Sequence, residues 1–136
     1  VPKKFTLGKE ERLKSRKKIE LLFAKGQTMS VYPYKIFFML DSAPAVSIKA
    51  TPLLQLGVGA GKKHFKTAVS RNRIKRITRE AFRLQKEGLL DPLHRQHRSL
   101  AVFLLYTGTE LMDFSNIKTS VARIIEKLRQ HTDAMA

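Results

Sequence analysis

Apolar residues along this chain recur at two periods, and the switches between them divide it into elements. Ile19, Leu22 and Phe23 stand at i, i+3 and i+4 and mark the buried stripe of a helix. Ser15 is placed to cap that helix, and Gly26 to stop it. Over 28–40 the period falls to two. Tyr34, Ile36, Phe38 and Leu40 share one face and Lys35, Phe37 and Met39 the other, which predicts strand, divided into two short ones at Pro33. Prolines among Ser and Ala make 41–52 a loop. Another strand runs from Leu54 through Val58 into Gly59-Ala60-Gly61, and 62–66 is a connector.

The stretch 67–87 reads as one long helix, ended by Gly88 and Pro92. Residues 100–106 are an unbroken apolar run of strand length, as expected of a central strand covered on both faces. Asp113 or Ser115 starts a last helix with Ile117, Val121, Ile124 and Leu128 inward, and the tail beyond Gln130 is expected to fray. No internal repeat interrupts this order. It predicts a single α+β domain over 1–136, with its core within about 8–130: one sheet of roughly four strands with three helices.

Charge then narrows the partner. The chain has 136 residues, with 27 Lys plus Arg against 11 Asp plus Glu, a formal +16. That excess strains a compact state by self-repulsion, and it suits a polyanionic partner, nucleic acid before an anionic membrane. No apolar run approaches the roughly 20 residues that cross a bilayer. Val1-Pro2-Lys3-Lys4-Phe5 lacks the apolar stretch of a secretory signal. The absence of cysteine fits a reducing compartment, so cytoplasm is the expected location.

The cations concentrate on the long helix. At about 100° per residue, Ile74, Ile77, Ala81 and Leu84 fall on one side and Asn72, Lys75, Arg76, Arg79, Arg83 and Lys86 on the other, with Glu80 and Glu87 at the margin. A solvated face normally mixes signs, because like charges at i, i+4 repel. Against a phosphate backbone the same crowding becomes favourable through counterion release. Arginine adds a planar fork that fits phosphate oxygens and stacks on bases. Asn72 can donate and accept, which suits a base edge or a 2′-hydroxyl, or a helix cap.

Arg71-Asn72-Arg73-Ile74-Lys75-Arg76, flanked by Ala68-Val69-Ser70 and Arg79-Glu80-Ala81-Phe82, resembles the "RNR" signature of the bacterial ribonuclease P protein family. Further segments are similar in the same order: Arg12-Leu13-Lys14 before a helix ending Leu22-Phe23-Ala24-Lys25-Gly26, Leu56-Gly57-Val58 leading to Lys62-Lys63, and the apolar strand at 100–106. The resemblance implies the order αβββαβα with a left-handed crossover. It also implies a protein that does not itself cleave RNA but assists a catalytic RNA in removing the 5′ leader of precursor tRNA. No cofactor is then expected on the protein, the magnesium being held by the RNA subunit. The implied partners are that RNA and the leader, with the protein monomeric inside the ribonucleoprotein.

By the same resemblance Arg71, Asn72, Arg73, Lys75, Arg76 and Arg79 face the catalytic RNA. Phe23 and Phe38 line a leader cleft between the first helix and the sheet, with Lys14, Lys62 and Lys63 on leader phosphates. Rings plus a basic track suit a leader of variable sequence, since every base has a π-face. Core packing is the alternative for both phenylalanines. Three departures from the family pattern stand out: Ile19 where an aromatic residue is common, Gly59-Ala60-Gly61 where a hydroxyl side chain is usual, and a longer loop at 41–52.

Self-contained catalytic machinery is not evident. Gly57-Val58-Gly59-Ala60-Gly61-Lys62-Lys63 misses the phosphate-loop spacing, and His64 stands where Ser or Thr would reach magnesium. His94 and His97 lack a full ligand set, and the acids show no paired spacing. Two other readings share the charge and size. One is a ribosomal-type or RNA-folding structural binder. The other is a DNA-binding domain, which the glycine-rich strand end before the helix argues against.

Overall fold

The computed structural model describes residues 13, 16–42, 54–61, 65–96 and 98–134. The elements are α1 (Arg16–Lys25), β1 (Gln27–Val31), β2 (Tyr34–Ser42), β3 (Leu54–Ala60), α2 (Ala68–Gln85), α3 (Glu87–Gln96), β4 (Arg98–Tyr106) and α4 (Phe114–Ala134). The strands form one mixed sheet in the order β1-β2-β4-β3. β1/β2 and β2/β4 are antiparallel, while β3 lies parallel to β4. Parallel neighbours need a long crossover, and α2 with α3 provides it. The class is α+β, as the residue pattern predicts.

The two faces of the sheet are covered unequally. Tyr34, Ile36 and Phe38, with Leu54, Leu56 and Val58 and with Leu100, Val102, Leu104 and Tyr106, bury against α2, α3 and α4 in the main core. Among the described residues, the opposite face carries α1 and a small cluster of Leu13, Leu22 and Ala101, with Ile19, Phe37, Met39 and Phe103 packed on it. β4 is central, but its second face is therefore covered over part of its length: Ala101 is buried, while Phe103 and Leu105 are half-buried.

Several expectations change. The stretch 67–87 is not one helix, because α2 ends at Gln85 and, after a turn at Lys86, α3 continues through Pro92. A proline there removes the bond to the Gly88 carbonyl and costs about 3 kcal/mol. Burying Leu89 and Leu93 completely returns about 1.5–3 kcal/mol each, so packing on α4 outweighs the local penalty. β2 runs on through Asp41 and Ser42, which pair with Ser99 and Arg98; the remainder of the expected loop, 43–52, lies outside the described residues. α4 does not fray at Gln130, because Thr132 is buried and the His131 ring sits 5.1 Å from that of Phe38. Its cap is Asp113, whose Oδ1 accepts from Asn116 N at 2.9 Å. Ser15, the expected cap of α1, lies outside the described residues. Gly26 does end that helix: its N–H donates to the Leu22 carbonyl at 2.8 Å, where a Cβ would collide.

Across the core, Tyr34 Oη and Thr78 Oγ1 share a buried hydrogen bond of 2.6 Å, tying β2 to α2. Burial pushes the Tyr34 phenol well above its ordinary range, against the opposing effect of that bond. The stability held by the neutral phenol is complete below the ordinary phenol value of about 10. It is lost as pH rises toward the raised folded-state value. Denaturant melts at rising pH should show this alkaline loss, and Tyr34→Phe should remove its share of the slope.

Candidate nucleic-acid interface

Thr67 caps α2, its Oγ1 accepting from Ser70 N at 3.2 Å. The helix buries Ile74, Thr78, Ala81 and Phe82, a stripe turned from the expected Ile74, Ile77, Ala81 and Leu84. Ile77 is half-buried and Leu84 exposed, because the helix seats the bulky Phe82 and lets Thr78 meet Tyr34. The outward row is Val69, Asn72, Arg73 and Arg76, all exposed, and these four line an open hollow of about 510 Å³. Val69 is 79 % exposed, an apolar spot within a cationic row.

The other cations of this helix divide by position. Lys75 and Arg79 are half-buried on its flank. Arg83 is engaged by Glu80, with Nε to Oε2 at 3.0 Å and Nη2 on Oε1, and that contact holds the Glu80 carboxyl below the usual carboxylate range. Lys86 leaves the expected basic face altogether. It is 2 % exposed, because the chain turns there into α3. Arg71 turns inward as well: its Nη1 donates to the carbonyls of Phe65 at 2.8 Å and Lys66 at 3.0 Å.

On the other side of the sheet, three rings meet. Phe23 lies 4.6 Å from Phe37 at 49° and 5.1 Å from Phe103 at 89°. Phe23 is 47 % exposed, so it does not share the burial of Leu22 as the helical spacing suggests. Lys35 Nζ stands 5.3 Å from the centre of the Phe37 ring, within reach of a cation–π attraction. Phe38 is not in this groove. Strand alternation sends it to the opposite face, where it is 2 % exposed in the main core. The rings beside Phe23 on this face are Phe37 and Phe103, which strand alternation alone does not single out. The available signal was a strand face on which an aromatic residue alternates with a cation, Lys35 and Phe37.

The bare backbone of β3 gives Phe103 its seat. A Cβ on Gly57 would lie 2.6 Å from Phe103 Cδ2, and one on Gly59 would lie 2.9 Å from Cζ. A side chain at either position would collide with the ring, so these glycines leave the room in which Phe103 lies against β3. Gly57→Ala should destabilise by about 1–3 kcal/mol through overpacking. In a Phe103→Ala background the same change should cost far less, a coupling that a double-mutant cycle would measure.

Lys14, Lys62, Lys63 and His97, and the side chain of His94, lie outside the described residues. Among the described residues no group of three or more His, Cys, Asp or Glu could hold a metal, and no helix is long and apolar enough to cross a membrane.

The family model for Ribonuclease P matches residues 7–129. The ribonuclease P protein component of Porphyromonas gingivalis strain W83 is 31 % identical over 135 residues, covering 99 % of this chain and 95 % of the relative. That of Chlorobium phaeobacteroides is 27 % identical over 131 residues, covering 91 % and 88 %. Among solved structures, the RNase P protein of Staphylococcus aureus superposes with a TM-score of 0.62 at 19 % identity, covering 87 % of this chain and 94 % of that one. The Thermotoga maritima protein gives 0.62 at 20 %, covering 86 % and 96 %. The structural likenesses speak for the fold, the family model and the relatives for descent, and together they make this chain a member of the ribonuclease P protein family.

Proposed function

We propose that the two sides of the sheet hold two different RNAs: the outward row of α2 binds the folded ribonuclease P RNA, and the ring groove beside α1 binds the single-stranded 5′ leader of precursor tRNA. As a ribonuclease P protein component the chain is a subunit of an RNA-processing endoribonuclease and a partner of its RNA. The observation that carries the finer assignment is the contrast between the surfaces. Asn72, Arg73 and Arg76 form an open cationic row around Val69, whereas Phe23, Phe37 and Phe103 form a half-open aromatic platform with Lys35 at its rim.

A cationic row engages phosphates without reading bases, which suits a structured RNA held by its shape. A ring platform suits a strand whose bases are unpaired and variable. In the sequence, Lys14 precedes α1 and Lys62-Lys63 follow β3, and these lysines are proposed as further leader-phosphate contacts. The protein works as a monomer within the cytoplasmic ribonucleoprotein. It holds no cofactor, and the hydrolysis with its magnesium belongs to the RNA.

Reconstitution tests this. The protein, mixed with a bacterial ribonuclease P RNA at low magnesium, should restore cleavage of a precursor tRNA, and it should tighten binding of leader-bearing substrate over mature tRNA. Equal stimulation with and without a leader would remove the groove assignment. No stimulation from folded protein that still binds RNA would favour a purely structural RNA-binding role.

A further inference from the structure

The two arginines of Arg71-Asn72-Arg73 cannot serve the same face. Two positions on an α-helix differ by about 200° around its axis, and the side chains follow that rotation. Arg73 is exposed in the outward row, while Arg71 is half-buried toward the side of Ile74 and Thr78. A cation in the first turn of a helix opposes the helix dipole, so its placement needs acceptors to compensate. Arg71 has them. Its Nη1 donates to two carbonyls that precede the cap residue Thr67, those of Phe65 at 2.8 Å and Lys66 at 3.0 Å. Phe65 is itself anchored, buried with its ring against Tyr106 at a centroid distance of 5.6 Å.

We infer that Arg71 is a positioning residue, not an RNA contact: it clips the end of the β3–α2 connector onto the first turn of α2. The motif is thereby split in function. Arg73 and Asn72 face outward, and Arg71 fixes Phe65 and Lys66, at the end of the connector, relative to that outward row. The clip stands on geometry in the free protein; only its consequence for RNA affinity rests on the function proposed above. A lysine at 71 would keep the charge but lose the planar, preorganised pair of N–H vectors that reaches both carbonyls.

Amide hydrogen exchange on the free, full chain carries the first arm, comparing Arg71→Gln, Arg71→Lys and Arg73→Gln. Peptides spanning 62–70 should exchange about tenfold faster in both Arg71 variants and at the native rate in Arg73→Gln, since only the former lose a local restraint. The second arm is salt-dependent binding to a ribonuclease P RNA. Arg71→Lys should bind several-fold more weakly although its charge is kept, with a salt slope unchanged from native, because no phosphate contact is lost. Native exchange in Arg71→Gln overturns the clip. So does native affinity in Arg71→Lys alongside a salt slope reduced by one contact in Arg71→Gln, the signature of a direct phosphate contact. If exchange loosens as expected but Arg73→Gln leaves RNA binding untouched, the clip stands and the RNA-binding reading of α2 fails.

Discussion

Phe38→Ala should destabilise this protein by about 3–5 kcal/mol, while Phe37→Ala, one residue earlier, should leave it folded and weaken its hold on a leader. Phe38 is 2 % exposed in the main core and lies against His131 of α4. Its truncation opens a cavity between sheet and helix, and a loss of that size is a large fraction of the 5–15 kcal/mol typical of a folded domain. Phe37 sits on the opposite face, half-buried between Phe23 and the Lys35 side chain. Removing it forfeits ring contacts worth about 0.5–1.5 kcal/mol. The larger effect falls on RNA, because a base stacked on an aromatic side chain contributes about 1–3 kcal/mol, or roughly 5- to 150-fold in affinity. Thermal melts of both variants, with precursor and mature tRNA affinities for the reconstituted particle, separate the roles. Equal weakening of both tRNAs by Phe37→Ala would rule out a leader-specific groove.

The second large effect is expected from Arg73→Ala combined with Arg76→Ala. Both side chains stand exposed in the outward row of α2, so their removal should leave the melting temperature near native. Each phosphate contact contributes about 0.9 to the slope of log affinity against log salt on duplex-like RNA, so the double variant should flatten that slope by roughly 2. Affinity for the ribonuclease P RNA near physiological salt should fall on the order of tenfold or more through the same counterion term. Arg83→Ala is the internal comparison. Its guanidinium is already engaged by Glu80, so it should change the slope less. An unchanged slope in the double variant would show that this row is not where the RNA docks.

These contrasts mark how far linear pattern reaches. Alternation over 34–40 separates the two faces of β2 correctly, and Tyr34, Ile36 and Phe38 do go to the core. Alternation is silent on which face stays open, however, so Phe38 could be taken for a groove residue and Phe37 passed over. That outcome depends on the coverage of the far face by α1, which leaves Phe23 and Phe103 in reach of Phe37. In the same way, the helical wheel identifies α2 as amphipathic and cationic. Its buried stripe is set by partners distant in sequence, Tyr34 on Thr78 among them, and this turns the helix away from the Ile77 and Leu84 edge.

Glycine and proline show the same division. Gly88 and Pro92 carry the local signals of a helix end, yet α3 passes through both because Leu89 and Leu93 find cover. Gly59 reads as part of a departure from a family pattern until Phe103 is seen lying across it and Gly57. Periodicity, composition and a contiguous motif establish the α+β class, the existence of the strands and of helices α1, α2 and α4, the basic character and the family. Which phenylalanines stay open, the burial of Lys86 and the parting of Arg71 from Arg73 depend on long-range packing. A residue's period says which neighbours share its face, whereas what covers that face is set by segments that meet it only once the chain has folded.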